Sequence, residues 1–234
     1  MRKFLFLLFS FILISGHAQT RNEFWCRLNI THPLDQKWSI GLDMHHRRQA
    51  NYRDNDKNIF RYQLGNYMRL TVYYQLPKKW TIFVSPIGYF ANEDILTKDG
   101  ELKLTNELRT SLSVIKAFDI GPVKNRNRFQ YDIRFPEFDK VNHYVQTRYR
   151  MHNSFTIPVV HFSEKTGLNY FISNEVFIKK QKNDVGFDQD RIYNALQLKI
   201  SKSDILTGYQ WVLQKGNTSL FHRNQLYLTF NLVI

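Results

Sequence analysis

The segment from Ile59 to Gln75 alternates apolar and polar side chains with a period of two. This period is typical of a β-strand, whose successive side chains point to opposite faces. Strands of soluble domains usually run about five or six residues, whereas a strand that crosses a bilayer at a tilt needs about nine to eleven. Pattern and length together predict a membrane-crossing strand. One face carries Phe60, Tyr62, Leu64, Met68, Leu70, Val72 and Tyr74, and the other carries Arg61, Gln63, Tyr67, Arg69, Thr71 and Tyr73.

The same alternation recurs along the chain, with short turns and longer polar segments between the candidate strands. This arrangement predicts an all-β fold, an antiparallel up-and-down transmembrane β-barrel with short periplasmic turns and longer outer loops. Eleven candidates are present, but bacterial single-chain barrels have an even number, so we expect about 10–12 strands, with one candidate missed, merged or outside the wall. The candidates are 23–31, 37–47, 59–75, 80–91, 101–118, 127–135, 143–157, 167–179, 190–201, 204–214 and 223–234.

Aromatic residues in the apolar phase mark one end of these strands. They lie near the short turns, where membrane barrels carry a girdle of aromatic side chains at the interface. The alternative is that aromatic residues simply favour strands. The predicted girdle consists of Trp38, Tyr74, Trp80, Phe118, Phe129 and Phe155.

The polar phase of the strands holds more bases than acids. Inside a barrel of this size, such side chains can interlock as ion pairs that fill the lumen, or they can line a narrow pore that favours anions. The sequence leaves both readings open. The predicted lumen residues are the basic Arg61, Arg69, Arg109, Arg128, Arg134, Arg148, Arg150 and Arg191 and the acidic Glu107, Asp132 and Glu175.

The net charge of the 234-residue chain is +13, which in a cytosolic protein would suggest nucleic acid as a partner. Residues 1–18, however, have a basic start, a short apolar run and small residues at Gly16 and Ala18, as in a cleaved secretory signal. Export argues against nucleic acid and leaves 19–234 as a single barrel domain, expected in the outer membrane. The single cysteine, Cys26, cannot form an internal disulfide and is interpreted as a small apolar side chain on a strand.

Four short segments also resemble a known family. They are the Phe24-Trp25 strand, the Trp38-Ser39-Ile40-Gly41-Leu42 return, the Phe60-Arg61-Tyr62-Gln63-Leu64 run and the closing Asn224-Gln225-Leu226-Tyr227-Leu228 strand. Together they resemble the domain-of-unknown-function 2490 family of exported β-barrel proteins, over nearly all of the chain after the signal. The resemblance implies an outer-membrane barrel and brings no established activity, cofactor or catalytic residue.

The leading hypothesis is therefore a non-enzymatic outer-membrane barrel that acts as a small pore or as a structural and binding element. Its expected partners are the lipid bilayer, the outer-membrane assembly machinery, and small anions or lipid head groups. No cofactor or metal is expected, since the adjacent His45 and His46 face opposite sides of a strand.

Two rival hypotheses remain. One is a barrel enzyme that modifies envelope lipid, for which His152 and Ser154 share a strand face, although that face is predicted to point inward, away from lipid. The other is a soluble secreted β-sandwich or calyx that binds a small ligand.

Overall fold

A computed structural model describes residues 20–51, 57–95, 102–138, 145–181, 184–215 and 220–234, so the signal segment 1–18 lies outside the described residues. All eleven candidate strands are confirmed. None of the described residues forms a helix that is long and apolar enough to span a membrane. The strands are β1 Thr20–Pro33, β2 Trp38–Gln49, β3 Tyr62–Leu76, β4 Trp80–Ile95, β5 Leu102–Ile120, β6 Val123–Phe138, β7 Gln146–His161, β8 Thr166–Gln181, β9 Asp184–Ile200, β10 Ser203–Lys215 and β11 Leu220–Val233.

The strands form one closed barrel in which each pairs antiparallel with the next, and β1 pairs with β11 in parallel. The expected even number is wrong. With eleven alternating strands the first and the last run in the same direction, so only a parallel pair can close the sheet. Parallel pairing is slightly less stable per residue. Side chains reinforce this seam: Gln225 donates to the Glu23 carboxylate at 2.7 Å, and Asn29 donates to Asn231 at 3.4 Å.

The short turns lie at one end of the barrel, between β1 and β2, β3 and β4, β5 and β6, β7 and β8, and β9 and β10. In the first of them, the Asp35 carboxylate accepts the backbone N–H groups of Lys37 and Trp38, both at 2.6 Å. These two hydrogen bonds, with Trp38 the larger contribution, hold the pKa of Asp35 below its usual value. The turn between β3 and β4 places Lys78 and Lys79 at φ of 57° and 60°. Lys78 and Lys79 are the central residues of the turn that the Trp80 N–H closes on the Pro77 carbonyl at 3.4 Å, and positive φ at both central positions suits a hairpin between twisted strands.

The alternation of β3 is confirmed from Asn66 onward. Tyr67, Arg69 and Thr71 are buried inside the barrel, whereas Met68 and Leu70 are half exposed on the wall. Because successive side chains alternate, the polar phase faces the lumen and the apolar phase faces outward.

A β-bulge at Leu64 interrupts the predicted unbroken pattern. Arg47 pairs with Gly65, but the next residue, Arg48, pairs with Gln63, so Leu64 is an extra residue. A bulge leaves one residue without a partner and bends the strand. Leu64 is accordingly only 2% exposed, on the opposite side from the one its predicted phase requires.

Arg61 is a correction to the predicted lumen set. β3 begins at Tyr62, so Arg61 precedes the strand, and it is exposed. Its guanidinium carbon lies 5.5 Å from the ring centroid of Tyr62. The predicted strand 59–75 begins three residues before β3, so Arg61 belongs to the rim instead of the lumen.

The two ends of the described chain lie at opposite ends of the barrel. Thr20 starts β1 at the end with the longer connections, whereas the Ile234 N–H donates to the Thr31 carbonyl at 3.0 Å, beside the short turns. If the short turns face the periplasm, a tag placed directly before Thr20 should bind antibody on intact cells. A tag after Ile234 should bind it only after the outer membrane is permeabilised. Labelling of both tags, or of neither, on intact cells would contradict the parallel closure.

Candidate functional site

The lumen contains the densest set of charged side chains that the described residues form. It is built from the inward positions of neighbouring strands, because residues in register on paired strands point to the same face. The carboxylates are the most deeply buried members: Glu23, Asp43, Glu107, Asp132 and Glu175 are each 7% exposed or less.

The first cluster lies on β6, β7 and β8 around Asp132 and Glu175. Arg148 and Arg150 bring guanidinium nitrogens to 3.2 Å and 3.7 Å from an Asp132 oxygen. Arg150 also contacts Glu175 at 2.7 Å, and Arg128 contacts the same carboxylate at 2.6 Å. One arginine therefore joins two carboxylates, and the five side chains form a continuous ion network.

A second cluster surrounds Glu107 on β5. Arg109, two residues along the same strand, contacts one carboxylate oxygen, and Arg134 on β6 contacts the other, both at 2.5 Å. Arg134 also donates to the Gln146 side chain at 3.1 Å. Every predicted acidic residue is thus held by at least one predicted arginine.

Asp43 is the centre of a third cluster, which sequence reasoning missed except for Arg69. It accepts from Arg27 at 2.7 Å and 2.9 Å, from the Tyr67 hydroxyl at 2.9 Å and from Arg69 at 2.7 Å. Its remaining partner is the His45 ring, 3.1 Å away. The signal was present in the sequence, since Asp43 occupies the polar phase of its strand.

Aromatic rings and guanidinium groups cross the lumen between these clusters. The guanidinium carbons of Arg47 and Arg191 lie 3.9 Å and 5.6 Å from the Trp25 ring centroid. Arg191 also reaches Phe177, at 4.6 Å. Phe177 is 0% exposed and has Arg150 at 4.8 Å as well. This chain of contacts runs from β2 through β1 and β9 to β8 and β7.

The other side of the lumen is bridged in the same way. Arg47 lies 5.3 Å from the Tyr67 ring, Tyr67 stacks on Phe90 at 4.4 Å, and Arg109 lies 3.8 Å from the Phe90 ring. Stacked guanidinium and aromatic groups attract each other. We call this set the transverse layer; it consists of Trp25, Arg47, Tyr67, Phe90, Arg109, Arg148, Arg150, Phe177 and Arg191.

The six predicted girdle residues all lie on the outward face. Trp38, Trp80, Phe118 and Phe129 are 40–51% exposed, and Tyr74 and Phe155 are half-buried. Trp38 pairs with Tyr74 in register, with ring centroids 4.5 Å apart. Trp38, Tyr74, Trp80 and Phe118 lie at or within two residues of a strand end next to a short turn. Phe129 and Phe155 lie six residues from the short-turn ends of β6 and β7, so their predicted place in the girdle is wrong.

The histidines separate into different environments. His152 lies in the lumen beside the ion network, in register with Arg128 and Glu175. The Ser154 hydroxyl donates its proton to the Arg126 carbonyl oxygen at 3.3 Å, so this hydrogen bond is to the backbone and not to His152. No group of three His, Cys, Asp or Glu side chains that could hold a metal ion occurs among the residues of known placement.

A closed barrel with an apolar outer wall and a charged interior defines an outer-membrane-type β-barrel protein. The predicted alternation of short and long connections is wrong at β8–β9 and β10–β11, which are joined by two and four residues. The chain belongs to the family described as "Protein of unknown function (DUF2490)", whose model matches residues 22–228.

Among solved structures, the chain is similar to the beta domain of the Bordetella autotransporter BrkA, with 12% identity over 80% of this chain and 79% of that one, at a TM-score of 0.47. It is also similar to LpxR from Salmonella typhimurium, with 10% identity over 83% of each chain and a TM-score of 0.47. No curated protein matches the chain in sequence.

Proposed function

We propose that this protein is a non-conducting outer-membrane barrel, a structural and binding element with no enzymatic chemistry in its lumen. The single observation that supports this proposal is the transverse layer, in which Phe177 and Trp25 are 0% and 2% exposed between arginines. Ion transfer through a pore needs a continuous wet path. A layer of side chains in mutual contact removes that path, so binding would occur at the rims and on the outer wall, with lipid, lipid head groups or assembly factors as partners.

The predicted pair of Ser154 and His152 does not meet the needs of a lipid hydrolase. A serine nucleophile requires a base within hydrogen-bond reach and access to its substrate. Ser154 is 4% exposed and faces the lumen together with His152, away from any acyl chain outside the wall. The filled interior therefore favours the structural and binding role over catalysis by this pair.

The test is conductance in planar bilayers. We expect the purified wild-type chain to be silent, and the double variant Trp25→Ala/Phe177→Ala to conduct in discrete steps. The steps should favour anions, because Arg47, Arg148, Arg150 and Arg191 would then line the opening. Heat-modifiable migration on gels checks that both proteins are folded. Discrete conductance by the wild-type chain would overturn the proposal and favour the pore.

A further inference from the structure

Arg126 is an inward-facing arginine that no carboxylate holds within the described barrel. It shares the inward phase of β6 with Arg128 and Gln130, because β6 pairs with both neighbouring strands without a bulge. Arg128 contacts Glu175 at 2.6 Å, whereas Arg126 is exposed at the short-turn end of the lumen, three residues from the start of β6. The described titratable side chains close enough to interact with Arg126 include no carboxylate; they are Arg27, Tyr73, Arg128 and His152.

Two hydrogen-bond donors lie near this guanidinium. His152 on β7 is a diagonal neighbour of Arg126, because Arg128 pairs with His152 and Arg126 pairs with Ser154. Diagonal neighbours on one face of a sheet are about 7–8 Å apart, within reach of long side chains. Tyr73 lies three residues from the short-turn end of β3, at the same depth as Arg126. Neither the His152 ring nor the Tyr73 hydroxyl forms a hydrogen bond within the described part of the chain.

Gly41 on β2 determines where the Tyr73 ring lies. A Cβ atom at Gly41 would be 3.1 Å from Tyr73 Cε2 and 2.5 Å from the Thr71 hydroxyl oxygen, so the ring packs directly over the glycine backbone. On its other side the Tyr73 ring contacts Phe83, with ring centroids 5.6 Å apart. A side chain held in this way loses little conformational freedom when its hydroxyl binds a ligand.

The mouth of the lumen at the short turns is positively charged. Its deeper end is closed by the ion network and the transverse layer. The inward carboxylates of Asp119 and Asp204 lie nearer the turns, and both already have partners: Lys79 contacts Asp119, and Asn231 donates to Asp204 at 2.7 Å. The charge of Arg126 is therefore not compensated. A cleft with one sign of charge and low-dielectric walls concentrates small ions of the opposite sign.

We propose that Arg126, His152 and Tyr73 form a binding site for a phosphate-type oxyanion, entered through the short-turn mouth. The guanidinium fork donates two N–H groups to two oxygens of the anion, and the imidazole and the phenol donate one proton each. A tetrahedral phosphate offers acceptors in three directions, which suits donors from three strands. A planar carboxylate would leave one of these donors without an acceptor. The site rests on the proposed binding role and gives that role a ligand class.

The test is calorimetric titration of the full chain, folded in micelles in phosphate-free buffer. The probes are inorganic phosphate, glycerol phosphate and acetate. We expect saturable binding of phosphate at one site, with acetate bound at least about 10-fold more weakly because one charge-assisted hydrogen bond is lost. Tighter binding of glycerol phosphate than of inorganic phosphate identifies a phosphate monoester as the ligand, and the reverse order identifies the free ion. Absence of saturable binding of both phosphates in the millimolar range would overturn the proposal.

Variants assign the binding to these side chains. Arg126→Gln should weaken phosphate binding about 10–100-fold, and Arg126→Lys, which keeps the charge without the fork, should weaken it less. Tyr73→Phe removes only the hydroxyl and should cost about 10-fold. Arg61→Gln, at an exposed arginine before β3 on the opposite rim, is the matched control and should bind like the wild type. Wild-type affinity in Arg126→Gln and Tyr73→Phe, with heat-modifiable migration intact, would also overturn the site.

Chemical labelling locates the bound anion independently. Phenylglyoxal modifies accessible arginines, and peptide mapping should show that phosphate protects Arg126 but not Arg61. Conductance separates this proposal from the proposed function. A wild-type chain that conducts and still binds phosphate through Arg126 would overturn only the non-conducting role, whereas a silent chain that binds no phosphate would overturn only this site.

Discussion

Replacing Asp132 by alanine is expected to lower the free energy of unfolding by about 3–5 kcal/mol, the loss typical of a buried ion pair from which one partner is removed. Asp132 is 0% exposed and accepts from the Ser111 hydroxyl at 2.7 Å and from Gln130 at 2.6 Å, besides its contacts with Arg148 and Arg150. Alanine would leave a buried guanidinium without its closest carboxylate. Urea unfolding of the protein folded into vesicles or micelles measures the change.

Two variants test the cause of that loss. Asp119→Ala removes a carboxylate from the Lys79–Asp119 pair, whose side chains are 58% and 50% exposed, and should leave the unfolding free energy nearly unchanged. Asp132→Leu/Arg148→Leu removes both charges of the closest pair together and should regain part of the stability. The regain is only partial because Asp188, 3.6 Å from Arg148, loses that contact. A double variant that loses the sum of the two single losses would contradict the ion-pair explanation.

Replacing Phe177 by alanine is expected to cost about 3–5 kcal/mol, since it removes a fully buried ring and leaves a cavity. The guanidinium carbons of Arg148, Arg150 and Arg191 lie 5.0 Å, 4.8 Å and 4.6 Å from this ring, so their cation–π attraction is lost as well. The same unfolding titration measures the effect. Phe177→Leu keeps most of the apolar volume and should lose clearly less.

The control is Phe129→Ala on the outer wall, where the ring is 51% exposed. Acyl chains can fill the space that this ring leaves, so only the transfer energy of the side chain, about 1.5–3 kcal/mol, should be lost. If Phe177→Ala and Phe129→Ala were equally destabilising, the transverse layer would contribute no packing energy of its own.

Much of the barrel could be predicted because a strand's period is local information. Each strand shows in sequence which residues face inward, and this was sufficient to place Glu107, Asp132 and Glu175 among the arginines. It could not show that Phe177, an apolar residue in the polar phase of β8, is the place where three arginines meet. That contact depends on how distant strands face each other across the lumen.

The wrong predictions concern features that a period of two in the sequence does not reveal. The bulge at Leu64 adds one residue and changes the phase, and Arg61 falls outside β3 for a similarly local reason. The parallel closure is a property of the whole sheet, because it depends on the strand count and not on the residues of β1 or β11. The cluster around Asp43 could be predicted in the same way, because Asp43 lies in the polar phase of β2 and is 1% exposed.

The parallel seam also limits how this chain can be rearranged. Most domains tolerate circular permutation because their termini lie close together. Here Thr20 and Ile234 lie at opposite ends of the barrel, although β1 and β11 are neighbours. A linker that joins them would have to run the height of the barrel, through the packed lumen or along the lipid. A permuted gene with a short linker should therefore fail to yield this barrel. The cause would be the odd number of strands, which places the two termini at opposite ends.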